Sequence, residues 1–217
     1  MEKESEYSNH TCERPGGLTI TRRAVEFCGF LPGAKIIDVG CGSGLTVEFL
    51  REKYGFEATG IDINATGEKN HLHAAPAGQL PFEPDSADGV FMECSFSLFN
   101  DQDAALSECY RVLKPGGWLI VSDMHARGEA VRLTGRLGRI DKRETIENLV
   151  SSHGFTVKLW EDFSQCLMAW WGQMIMDQGM ESFCNSSGCS PESLKRVKAG
   201  YFRFGSYHQE VAGFYPF

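Results

Sequence analysis

The chain lacks any apolar run near the ~20 residues that a membrane helix needs. Its longest apolar stretches, Trp118 to Val121 and Leu167 to Trp171, are core-sized, so a membrane role is not expected. Positive charge is also short: 21 Lys and Arg stand against 29 Asp and Glu, net −8. That balance supplies no cationic footprint for a phosphate backbone, and nucleic acid is not an expected partner. The opening Met1 to Glu6 is polar and acidic, unlike a secretory signal. The 8 cysteines have no framework spacing, which excludes a disulfide scaffold and reads as reduced thiols in a cytoplasmic protein. Internal repeats and low-complexity runs are missing too.

What is present suits a packed enzyme-sized domain. With 217 residues, 42% hydrophobic, 15 Phe and 4 Trp, there is enough apolar surface to offset chain entropy. At about 150 residues per domain, the length fits one domain with an elaboration. Residues 1–18 read as a flexible polar arm, and 19–217 as the folded domain. Ala24, Phe27, Cys28 and Leu31 recur at helical spacing, with Thr19 or Thr21 as cap and Pro32-Gly33 as stop. Strands are expected at 34–39, 57–61, 71–75, 88–94, 118–123, 156–160 and 201–204. Helices are expected at 44–54, capped by Ser43 and closed by Gly55, then from about Asp101 to Lys114-Pro115, and at 141–153. Strands alternating with helices imply an α/β, doubly wound, mostly parallel seven-stranded sheet. From Asp162 the alternation breaks. Residues 162–199 read as a helical insertion before the last strand, with a broad apolar face through Trp170, Trp171 and Met174 and a further helix opening at Ser190-Pro191. This insertion is either a lid over a substrate or an interface, the latter permitting a homodimer.

In an open parallel sheet, ligands bind beyond the carboxyl ends of the strands. The first strand ends there in Asp38-Val39-Gly40-Cys41-Gly42-Ser43-Gly44. Glycines allow close backbone approach, and N–H groups at the helix start favour an anionic group. Leu45 stands where a dinucleotide fingerprint needs its third glycine, so a pyrophosphate site is spoiled. Asp62, closing the second strand, can accept from both hydroxyls of a ribose, and Ile63 offers an apolar plate to a base.

These residues resemble the class I S-adenosylmethionine-dependent methyltransferases, in particular the small type 11 group related to ubiquinone-biosynthesis methyltransferases. The resemblance runs from about Ala34 to Asp123. It rests on four ordered blocks: Ile36 to Gly44, Gly60 to Ile63, Leu80-Pro81-Phe82 through Asp88, and Tyr110 to Gly117. It implies S-adenosyl-L-methionine as cofactor, a Rossmann-like methyltransferase fold and a small-molecule methyl acceptor. By position it implies Gly40, Cys41 and Gly42 along the methionine moiety, Asp38 at its ammonium, Asp62 at the ribose and Ile63 beside adenine. Glu93 and Cys94 would lie nearest the sulfonium and the acceptor. Asp38 has a second reading, a capping carboxylate satisfied by backbone N–H groups. The sequence departs from the family pattern in a short connection between Asp62 and Leu80, and in Pro76 where an adenine-binding Asp is usual. That leaves backbone at Ala77 or Gly78 to meet the base.

Methyl transfer from a sulfonium needs alignment more than a base. Asp123 and His125 after the fifth strand are the candidates for moving a proton, with Glu93 and His208 as others. Arg127, Arg132, Arg136, Arg139, Lys142 and Arg143 form a basic stretch able to steer an anionic acceptor. Cys94, Cys184 and Cys189 open an alternative, thiol-assisted methylation of a metalloid, since Glu93 to Leu98 is similar to the arsenite methyltransferases. No metal site is expected from their spacing. A non-catalytic, cofactor-binding regulatory module is the remaining alternative.

Overall fold

A computed structural model of the protein describes residues 14–66, 71–133, 137–190 and 199–208. In chain order the first elements are α1 (Gly17–Cys28), β1 (Lys35–Val39), α2 (Leu45–Tyr54), β2 (Glu57–Asp62), β3 (Leu72–Ala74) and β4 (Ala87–Glu93). A 3-10 turn at Phe96–Leu98 follows, then α3 (Gln102–Val112), β5 (Leu113–Ala126), β6 (Val131–Arg132) and β7 (Arg139–Ile140). The chain continues through α4 (Arg143–Ser152), β8 (Phe155–Asp162), α5 (Ser164–Gln178), α6 (Met180–Ser187) and β9 (Ala199–His208).

The main sheet has the order β3-β2-β1-β4-β5-β9-β8, parallel throughout except for β9, which runs antiparallel to both neighbours. β6 and β7 form a separate two-stranded ribbon. Successive strand residues point to opposite faces, and each face is buried. On one, Ile36, Phe91, Trp118 and Ile120 pack against Ala24, Val25, Val47 and Leu50 of α1 and α2. On the other, Ile37, Val90, Leu119 and Val121 pack against Leu106, Cys109 and Val150 of α3 and α4. A third cluster, built from Ile20, Met124, Ala126, Leu137, Leu167 and Phe183 among others, sits beyond the strand ends under α5 and α6.

Several expectations are corrected. α1 begins at Gly17, inside the segment read as an arm, and ends at Cys28, because Gly29 turns left-handed (φ 64°) and returns its N–H to Val25 O. Its buried stripe is therefore Ile20, Thr21, Ala24 and Val25, and Leu31 is exposed. Gly44, also left-handed (φ 82°), occupies the N-cap of α2 in place of Ser43. Asp101 does cap α3, its Oδ1 accepting the Ala104 N–H at 2.9 Å. β5 spans 14 residues, far beyond 118–123, because β9 pairs along it as far as Ala126. Residues 1–13 of the arm and the helix expected after Ser190-Pro191 lie outside the described residues.

Candidate active site

β1 and β4 are neighbours, and the pleat sends Asp38 and Glu93 to the α1/α2 face at their carboxyl ends. Glu93 is buried and held by three side-chain donors. Its Oε1 accepts from Thr21 Oγ1 at 2.8 Å, and its Oε2 from Thr46 Oγ1 at 2.7 Å and from Arg14 Nη2 at 2.9 Å. Arg14 also donates to Thr21 Oγ1 at 2.9 Å. One strand end, two helices and the residue ahead of α1 are thus tied to one carboxylate. Asp38, 3% exposed, has its carboxyl pushed up to about 8 by burial first, then by the Glu93 and Asp62 charges, with Arg14 opposing. Two buried carboxyls sharing one guanidinium make a pocket that favours a further cation.

The glycine loop is stitched to β2. Gly40 and Cys41 N–H both donate to Ile61 O, at 2.7 and 3.1 Å, and Gly44 N–H to Cys41 O at 2.9 Å. Gly42 N–H donates to Asp62 Oδ2 at 3.0 Å. Those N–H groups are committed within the protein, none of them capping Asp38. Gly40 (φ 79°) is required by a close approach, since a Cβ there would lie 2.3 Å from Ser95 Cβ. A Cβ on Gly42 (φ 52°) would meet nothing within 4 Å and would project into open space. Cys41 leans across β2, where a Cβ on Gly60 would meet its Sγ at 2.6 Å; burial, then Asp38 and Asp62, pushes its thiol up to about 12. Asp62 Oδ1 accepts Asn64 N–H at 2.8 Å, leaving each carboxylate oxygen a second lone pair, and Ile63 is 72% exposed beside it. Ala77 sits in the turn after β3 with its side chain half-buried on the α3/α4-face core, so only backbone there can meet a base.

Cys94 closes β4 in the left-handed region (φ 56°), where a non-glycine residue is strained. Its N–H donates to Ser122 O at 2.7 Å, and it packs on the third cluster. The chain turns there into the 3-10 segment, held by Ser97 N–H on Asp123 Oδ2 at 2.8 Å. Asp123 lies on the α3/α4 face, its carboxyl pushed up to about 6 by burial against the Ser97 and Met124 N–H groups. Beside it is a cavity of about 10 Å³ lined by Gln102, Arg139 and Asp141. His125 points the same way into an aromatic box, edge-on to Trp160 at 5.6 Å and Phe202 at 5.9 Å. Neither of its ring nitrogens has a hydrogen-bond partner among the described residues, and burial holds it below its ordinary value.

The structure therefore brings together Asp38, Gly40, Cys41, Gly42, Asp62, Ile63, Glu93 and Cys94. It does not bring Asp123 and His125 to that pocket: β5 runs on past Asp123, and the pleat sends both to the far face. Arg14, Thr21 and Thr46 were missed. Thr46 was findable from its place two residues after the glycine loop, whereas nothing in sequence ties Arg14 or Thr21 to Glu93. The basic stretch largely neutralises itself, Arg139 pairing with Asp141, Lys142 with Glu129 and Arg143 with Glu147. Arg136 and the side chain of His208 lie outside the described residues. Cys94, Cys184 and Cys189 share the third cluster, but among the described residues no three candidate ligands are grouped to hold a metal ion.

A seven-stranded sheet whose one antiparallel strand lies between β5 and β8, with a carboxylate-lined glycine loop at the end of β1, defines a methyltransferase-type Rossmann-like domain. Residues 37–121 of the chain match the family described as Methyltransferase domain. It is 30% identical over 160 residues to an uncharacterized protein of Haemophilus influenzae, covering 66% of this chain and 59% of that one. It is 35% identical over 108 residues to an O-methyltransferase of Pyrenophora dematioidea, covering 43% and 40%. The chain thus spans less than two thirds of these relatives. Among solved structures it resembles the geranyl diphosphate C-methyltransferase of Streptomyces coelicolor, with a TM-score of 0.73 at 13% identity, covering 89% of this chain and 78% of that one. The pocket fits S-adenosyl-L-methionine, the donor of this family. The buried carboxyls of Asp38 and Glu93 suit its cationic methionine end, the open face of Gly42 leaves it room, and Asp62 and Ile63 suit a nucleoside.

Proposed function

We propose that the protein transfers the sulfonium methyl of S-adenosyl-L-methionine to a small-molecule acceptor by in-line displacement. The observation that carries this reading is the convergence of buried Asp38 and Glu93 with the open Gly42 and with Asp62. Asp38 and Glu93 bind and orient the cationic end, Asp62 takes the ribose hydroxyls, and exposed Ile63 covers one face of the base. When bound, the cofactor supplies an activated methyl, so the chain's task is alignment and exclusion of water. The strained Cys94 and the Ser95 turn bound the acceptor side. The third cluster, with α5 and α6, walls it off, and these two helices of the insertion act as a cover over a domain that already includes Arg14 and α1. No proton transfer is assigned to Asp123 or His125, because both face away.

Calorimetric titration with S-adenosylmethionine and with its demethylated product tests the binding half, and the expected outcome is saturable binding of both. Methyl transfer to a panel of phenolic, amine and allylic acceptors tests the chemistry. Failure of the native protein to bind either compound overturns the proposal, and binding without turnover across the panel favours a regulatory role.

A further inference from the structure

We propose that Cys184 and Cys189 form a reversible disulfide, making the end of α6 a redox-modification site. The backbone already sets the pair. Gly188 ends α6 in the left-handed conformation (φ 66°), its N–H directed at Cys184 O and Asn185 O, and Cys189 N–H donates to Cys184 O at 3.0 Å. In this six-to-one helix ending, the residue after the glycine folds back over the residue five before it, and side chains at those two positions touch. Here both are cysteines. They pack in the same apolar cluster, Cys184 buried and Cys189 half-buried. Neither thiol is already engaged in a disulfide. Burial, then the contact with Cys184, pushes Cys189 up to about 11. A thiol of high pKa leaves slowly, so a disulfide made from it resists exchange.

The oxidant is a low-molecular-weight disulfide. Cys189, the more accessible thiol, loses its proton and attacks one sulfur of the oxidant, forming a mixed disulfide and releasing one thiolate. Cys184 then loses its proton and attacks Cys189 Sγ, releasing the second thiolate. The pair gives up two electrons, and the oxidant ends as two thiols. The bond would lock the end of α6, the part of the insertion whose Phe183 and Cys184 pack with Met124 and Ala126 at the end of β5.

The test treats the full-length protein with oxidised glutathione, blocks remaining thiols with iodoacetamide and maps peptides by tandem mass spectrometry. The expected result is loss of two hydrogens confined to the peptide holding Cys184 and Cys189, no fragmentation between them, and reversal by dithiothreitol. Cys189→Ser, at a half-buried position that should leave folding intact, should abolish the closed loop, as should Cys184→Ser. Phenylarsine oxide, which bridges two apposed thiols, should be retained by the wild type and not by Cys189→Ser. Stable glutathione adducts without loop closure, a bond to Cys166 instead, or unchanged alkylation of both residues would each overturn the proposal.

Discussion

Burial raises the carboxyl of Asp38 far above the usual aspartate range, and a pH dependence follows with a definite sign. Its carboxyl rises from an ordinary 3.8 to about 8 through burial and the neighbouring Glu93 and Asp62 charges, against Arg14. A raised acid stabilises the fold fully below its unfolded value and loses that contribution as pH climbs through the folded one. The unliganded protein should therefore become less stable between pH 4 and 8, and Asp38→Asn should flatten that slope in denaturant titrations. Arrival of a cationic ligand reverses the preference, so binding of S-adenosylmethionine near neutral pH should release a proton. Calorimetry in buffers of different ionisation enthalpy reads this directly, and buffer-independent heat would show that Asp38 does not meet the cation. At Asp62, replacement by Ala removes acceptors for two ribose hydroxyls, about 1.5 to 3 kcal/mol each at most. Affinity should fall at least tenfold. The melting temperature should shift little, because only the Gly42 and Asn64 N–H groups lose a partner in the unliganded protein.

Within the loop joining β1 to α2, two glycines of the same left-handed conformation should respond differently to alanine. Gly40→Ala drives a methyl to 2.3 Å from Ser95 Cβ, so the Ser95 turn must move and both stability and binding should fail. Gly42→Ala meets no atom and costs only the left-handed strain of about 1 to 2 kcal/mol. It should fold yet bind the cofactor poorly, because its methyl enters the ligand's space. Melting curves beside titrations of the two variants separate these outcomes. The glycine pattern was visible in sequence, as were the strand-helix alternation, the Gly55 stop and the start of a helix near Asp101, because each is set by local chemistry. Face was not visible. Asp123 and His125 follow β5 into the α3/α4 side, a result of pleat phase and of β9 lengthening the strand. Arg14 reaches Glu93 only because α1 starts at Gly17, a tertiary outcome that a polar arm does not announce.

At the scale of the whole molecule, the insertion rests on few anchors. Leu167 and Trp171 are the buried residues of α5, and Phe183, Cys184 and Ser187 those of α6, whereas Met168, Met176 and Met180 are exposed. Elements held by little buried surface open at low free energy. Amide exchange in 164–187 should be faster than in β1, β4 and β5, and should slow most on addition of cofactor plus acceptor. If it is slow without ligand and quickens on dilution, the outward methionines face a second copy of the chain. Exchange indifferent to ligand and concentration alike would remove the cover from the proposed mechanism.

β9 lies between β5 and β8, so the last of the described strands in chain order belongs in the interior of the sheet. Until residues 199–208 emerge, β5 presents a 14-residue edge and β8 has no lateral partner. A nascent chain stalled before that point exposes unpaired, mostly buried-type backbone, the kind of surface that chaperones cover and that pairs with its own copies. Completion of the sheet therefore waits on the joining of two half-built layers by β9, and a truncation before residue 199 should yield insoluble protein even though every residue of the proposed cofactor pocket is already in place.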